Sequence, residues 1–199
     1  MGTVPKKKSP AGTIVFLVLL AAVVIGGYLM ITRNKDKGTK EIPAESSEAD
    51  NLIKKDLFFD YPATPREVLK FFCRITKCLY NDDLSEEQMK KLVSQARGLY
   101  SLELLDSNDE KEQLARIKGD AEEYKKQKKE IYSYTLESAS ELESINTKAG
   151  KTTIIKMYFT VKAGSAMKKL FEEFSLVEDS NGRWKIAAFR TLPDAVDFN

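Results

Sequence analysis

The chain of 199 residues is 42% hydrophobic and 31% charged, a composition that suits one globular domain with additions. Its net charge of +2 is uneven: residues 1–40 carry seven Lys/Arg and one Asp, a net of +6, while the rest carries 25 Lys/Arg against 29 Asp/Glu, a net of −4. The basic excess sits at the N-terminal end, which argues against a nucleic-acid partner, and the absence of histidine excludes His-based triads, bases and metal ligands.

The first element is an apolar run. Between Lys8 and Arg33 there is no charged residue for 24 positions. A membrane-spanning helix needs about 20 such residues, whereas a secretory core needs only about 7–15. The expected arrangement is a short basic cytoplasmic tail at 1–10 and an uncleaved single-span anchor at 11–32. A flexible polar tether at 33–56 and an extracytoplasmic α+β domain at 57–199 follow. Basic residues flank both ends of the run, but a short N-terminal tail carries the stronger orienting weight. That places the N-terminus inside and the domain outside a cell membrane.

Leu57-Phe58-Phe59-Asp60-Tyr61-Pro62 opens the domain with three aromatic residues in six positions. Either it packs onto the domain as its first element or it is a docking patch for a partner. Three helix starts follow, each a capping box: Thr64 to Glu67 with proline at the first helical position, Ser85 to Gln88, and Ser107 to Glu110. Behind the first, Val68, Phe72, Ile75 and Leu79 recur at helical spacing. On that helix Cys73 and Cys78 are too far apart, at roughly 8–9 Å, for a disulfide, and they read as buried thiols.

Beyond residue 130 the period changes to that of strands. Tyr132, Tyr134 and Leu136 alternate with polar neighbours, and Ile155, Met157, Phe159 and Val161 share one face of a second strand. Leu170 to Glu178 and Arg183 to Leu192 supply two more, joined at Asn181-Gly182, a strong hairpin signal. Gly150 and Gly164 mark the earlier turns. The expected fold class is α+β: a transmembrane helix, then three helices packed on a curved four-stranded antiparallel sheet.

The segment FEEFSLVEDSNGRWKIAAF, 171–189, resembles the last hairpin of the nuclear transport factor 2-like superfamily, and the helices-first order over 64–191 is similar too. The whole layout is similar to uncharacterised membrane-anchored bacterial proteins, and to a scaffold family of secretion and conjugation machines. The resemblance implies a cone whose mouth can hold a small ligand, with Tyr132, Tyr134, Tyr158 and Trp184 as candidate lining residues; at strand spacing the same aromatics also read as sheet packing. Some members of that superfamily are enzymes built on an Asp/His or Asp/Tyr arrangement, and the first is closed to a chain without histidine.

No other motif carries chemistry. Asp106 to Glu110 has Lys111 where a calcium loop needs glycine. Lys125 to Lys129 is interrupted and flanked by acidic residues and reads as a solvated helix face. No catalytic residue, cofactor or metal is expected. The leading expectation is a non-catalytic envelope module that binds a protein partner or small ligand outside the cell. A scaffold component of a secretion or conjugation assembly is the second, and a small anchored enzyme using Asp/Tyr chemistry is the third.

Overall fold

A computed structural model describes residues 47–139, 142, 144–147 and 150–193. Among them run five helices, α1 (Glu48–Lys54), α2 (Pro65–Asn81), α3 (Glu86–Arg97), α4 (Leu102–Asp106) and α5 (Glu110–Lys126). Five strands follow, β1 (Lys129–Leu136), β2 (Ser144–Thr147), β3 (Gly150–Ala163), β4 (Ala166–Glu178) and β5 (Trp184–Thr191). All strand pairs are antiparallel, in the order β1-β3-β4-β5 with β2 also on β3.

The expected three helices and four strands are corrected to five and five. No helix of the described residues is long and apolar enough to cross a membrane; the span expected at 11–32 lies outside those residues. The tether expected at 33–56 does not run to its end as open chain. Ser47 caps α1 by accepting from the Asp50 amide, and Ala49 and Leu52 are buried. Two capping boxes form as read, at Thr64 and Ser85. The third does not: Ser107 closes α4, and Asp109 caps α5 by accepting from the Lys111 and Glu112 amides.

Helix α2 organises the interior. Its Leu69, Phe72, Cys73 and Ile75 are buried, as are Ile155, Met157 and Phe159 of β3 and Phe174 and Leu176 of β4. Phe72 meets Phe174 edge-on at 5.6 Å, and Phe174 stacks on Phe189 at 5.3 Å. The end of α2 is tied to β1 by one amide side chain: Asn81 Nδ2 donates to Ile131 O at 2.9 Å, and Ile131 N donates to Asn81 Oδ1 at 2.8 Å.

Two irregularities in the ladder decide which side chains face inward. In β1 the register shifts between Ile131 and Ser133, so Tyr132 has no partner on β3. In β5 Ile186 faces Leu176 while Ala188 faces Ser175, leaving Ala187 as the extra residue. That bulge lets Ile186 and Phe189, three apart, both reach the core. The outer edge of β5 is covered: Ile186 N donates to Leu99 O and Ser101 N to Ile186 O. The β4–β5 hairpin forms at Asn181-Gly182 as the sequence predicts, but only Gly182 has positive φ, 73°. The turn is closed instead by Asp179, whose Oδ1 accepts from the Asn181 and Arg183 amides.

Candidate functional site

The face of the sheet under the helices is where a cone would hold a ligand. Of the four candidate lining residues, Tyr134 and Trp184 lie on that face, half-buried and buried respectively. Tyr134 sits opposite Phe159 and Trp184 opposite Glu178. Tyr158 is opposite Phe171 on the other face, with the Lys169 ammonium 4.3 Å from its ring centre. Tyr132, displaced by the bulge, is 52% exposed. The structure therefore does not bring the four together. Trp184 instead takes Lys151 on its ring at 5.5 Å and serves, through its carbonyl, as acceptor for the Tyr61 hydroxyl.

Under the sheet the buried side chains of α2, β3, β4 and β5 pack together. Between α2, α3, α5 and β5 there is a cavity of ≈ 20 Å³, lined among others by Phe72, Tyr80, Tyr100, Gln113 and Phe189. That is room for a water, against the roughly 300–1,000 Å³ of a ligand pocket. Gln113 spans it with a polar relay, accepting from Arg97 at 2.9 Å and donating to the Tyr100 hydroxyl at 3.1 Å. Burial pushes the Tyr100 hydroxyl up to about 12.

One interior group was not singled out from the sequence. Glu172 is 2% exposed, lies opposite Met157 on the helix-covered face, and its Oε2 has no hydrogen-bond partner among the described residues. Burial pushes its carboxyl up to about 8, so it is largely protonated at neutral pH. Among the described residues the Tyr80 hydroxyl is the other buried side-chain polar atom without a partner of full geometry, although the Asp120 carboxyl is close enough to interact with it. Tyr80 packs on Tyr124 at 5.0 Å, and Cys73 Sγ lies 3.4 Å from Met157 Sδ. The signal for Glu172 was present: it shares strand parity with Phe174 and Leu176. Its charge would act on the Cys73 thiol and the Tyr80 and Tyr124 hydroxyls, and it is not among the residues that line the cavity just described.

Outside, among the described residues, Leu102 and Met167 are exposed singly, while two other exposed apolar features bring two residues each close together. On the face of the sheet away from the helices, Ile145 and Ile154 are 56% and 47% exposed, and Ile145 pairs with Thr152, two residues from Ile154. The second is the turn between α1 and α2, where both readings of the Leu57–Pro62 segment apply. Leu57 and Tyr61 pack against the core, while Phe58 and Phe59 are 71% and 83% exposed and meet edge-on at 4.8 Å.

Polar groups hold that turn from below. Asp56 Oδ1 accepts from the Phe58 amide at 2.8 Å and the Phe59 amide at 3.3 Å, and Lys55 pairs with Asp60. Arg183 donates to Phe58 O at 2.7 Å while its guanidinium lies over the Phe58 and Tyr61 rings. Gln95 of α3 donates to Ile53 O and Lys55 O, both at 2.9 Å. A Cβ on Gly98 would come within 2.9 Å of Leu57 Cδ1, so glycine there leaves the seat for Leu57.

These features define an α+β domain with helices on one face of an antiparallel sheet and a packed interior. The chain belongs to the family described as a domain of unknown function, DUF6715, whose pattern matches residues 4–189. No curated protein matches it.

Proposed function

We propose that the protein is a non-catalytic interaction module of the nuclear transport factor 2-like kind. In this reading residues 11–32 hold it at a cell membrane, and its folded part lies outside the cell, where it binds a protein partner. The observation that carries the reading is the packing beneath the sheet, where the cavity between α2, α3, α5 and β5 has room for a water and is lined by core side chains. Helices followed by an antiparallel sheet support the superfamily assignment. The family pattern, which runs from residue 4 through the apolar stretch to residue 189, supports treating anchor and domain as one unit.

The assembly-scaffold reading is a special case, favoured by Ile145 and Ile154, which give the open face of the sheet an apolar spot near its β2 end. A photo-crosslinking side chain at Ile154, compared with one at the exposed Glu112 of α5, tests both readings in intact cells. A discrete protein adduct from position 154 alone is expected. Equal labelling from both positions sinks the partner surface, and protection of residues 57–199 from protease added to intact protoplasts sinks the orientation.

A further inference from the structure

We propose that Phe58 and Phe59 form a membrane-touching tip, inserting their rings into the interfacial layer of the bilayer that holds the N-terminal apolar stretch. The proposal rests on the anchoring just described and adds a contact that anchoring alone does not require.

The tip is built to stay out. Phe59, Leu102 and Phe58 are the three most exposed large apolar side chains among the described residues, and the two phenylalanines are the adjacent pair, on a backbone fixed by Asp56, Arg183 and Gln95. Rings presented on a held turn lose little conformational freedom when they enter a new environment. The residue types fit the interface between lipid and water, where aromatic rings sit at headgroup depth and Lys and Arg reach back to the aqueous side. Here Arg183 lies over Phe58 and Tyr61, and Lys185 lies 4.4 Å from the Tyr61 ring centre.

Chain length keeps the bilayer within reach of the tip. Only 14 residues, 33–46, separate the end of the apolar stretch from Ser47. Whatever their conformation, they span at most about 50 Å. Helix α1 and the four residues after it place Phe58 within about 30 Å of Ser47, from helical rise and chain reach. Two phenylalanines alone bind a bilayer weakly. A tether converts that weak contact into an intramolecular one, at high effective concentration.

Charge is not the driving term. Lys55, Arg183 and Lys185 are matched by Asp56, Asp60 and Asp179, with Lys55 paired to Asp60 and Asp179 acting on Lys185. Insertion should therefore occur in zwitterionic lipid and persist in high salt.

The full chain reconstituted in phosphatidylcholine vesicles, with and without lipid brominated high in the acyl chain, tests this. In Phe59→Trp the added indole emission, after subtraction of the parent protein with Trp184, should shift to the blue and lose about half its intensity to bromine, as expected for a ring at interfacial depth. Glu112→Trp, on exposed α5, should lose none. Leu20→Trp reports the anchor and should be quenched by lipid brominated deep in the chain. A quenched Leu20→Trp with an unquenched Phe59→Trp overturns the tip while leaving the anchor. An unquenched Leu20→Trp removes the anchor and the tip with it. Phe59→Trp emission that ignores bromine but shifts with protein density in the bilayer assigns the tip to a second copy, and that also overturns the proposal.

Discussion

Phe174 and Phe59 are the same residue in opposite conditions. Phe174 is fully buried on β4, stacked on Phe189 and met by Phe72, while Phe59 is 83% exposed on a turn. Around Phe174 the neighbours are apolar and the ring itself holds the structure together. Around Phe59 the backbone is held by Asp56 and Arg183, and the ring holds nothing. The contrast separates side chains that specify the fold from side chains the fold presents, and it can be broken at either end.

The largest effect belongs to the interior. Phe174→Ala should cost about 3–5 kcal/mol, the usual range for removing a buried phenylalanine that cannot be replaced by collapse. Denaturant unfolding followed by Trp184 fluorescence measures it, and a loss below about 1 kcal/mol would mean that the interior is not packed as described.

Glu172 comes next, because among the described residues it is the one buried acid, on the same face of β4 as Phe174. Its folded carboxyl is raised from 4.5 to about 8, so the native state holds the proton more tightly than the unfolded chain does. Its stabilising contribution is therefore complete below about pH 4.5 and is lost as the pH rises through about 8, with a slope approaching 1.4 kcal/mol per pH unit between them. Unfolding midpoints measured across that window should fall for the parent protein and flatten for Glu172→Gln. A parent profile already flat from pH 5 to 8 would show that Glu172 has a partner.

Asn81 joins helix to strand. Asn81→Ala leaves both the N–H and the carbonyl of Ile131 without their side-chain partner, at a cost of about 1–3 kcal/mol. Hydrogen exchange at the Ile131 amide should rise more than at the Met157 amide in the centre of the sheet, which marks the loss as local to β1.

How much of this was legible from sequence depends on how far each signal reaches. Helix α2 was readable because Thr64, Pro65, Glu67 and the Val68–Leu79 stripe all agree. Helix α1 was not, since its core contacts come from Ala49, Leu52 and Ile53 alone, in a short run otherwise polar enough to pass for a tether. Strand β2 has one apolar residue, Ile145, and all four of its positions are exposed, so it exists through pairing with β3 and has no pattern of its own. The candidate lining failed on phase. Tyr132 and Tyr134 share parity in the sequence, but the register shift at Tyr132 puts one outside and the other on the core face. Glu172 had the right phase to be read as buried, and its charge hid it.

The smallest effect is expected at the tip, and it is the sharpest test of the comparison. Phe58→Ser with Phe59→Ser removes two aromatic rings, a change that in the core would unfold the domain. At this site each ring has lost little surface to the protein, and their mutual edge-on contact at 4.8 Å involves no third core residue. The backbone bonds from Asp56 and Arg183 reach main-chain atoms, so they survive the substitutions. Besides that ring pair, only the stacking of Arg183 on Phe58 is lost, and each contact is worth about 0.5–1 kcal/mol at an exposed site. The double substitution should therefore shift stability by less than about 2 kcal/mol, and serine in place of an exposed phenylalanine should improve solubility. A loss of several kcal/mol would mean that the rings brace the α1–α2 turn, and Phe58 and Phe59 would then stand with Phe174 among the residues that specify the fold.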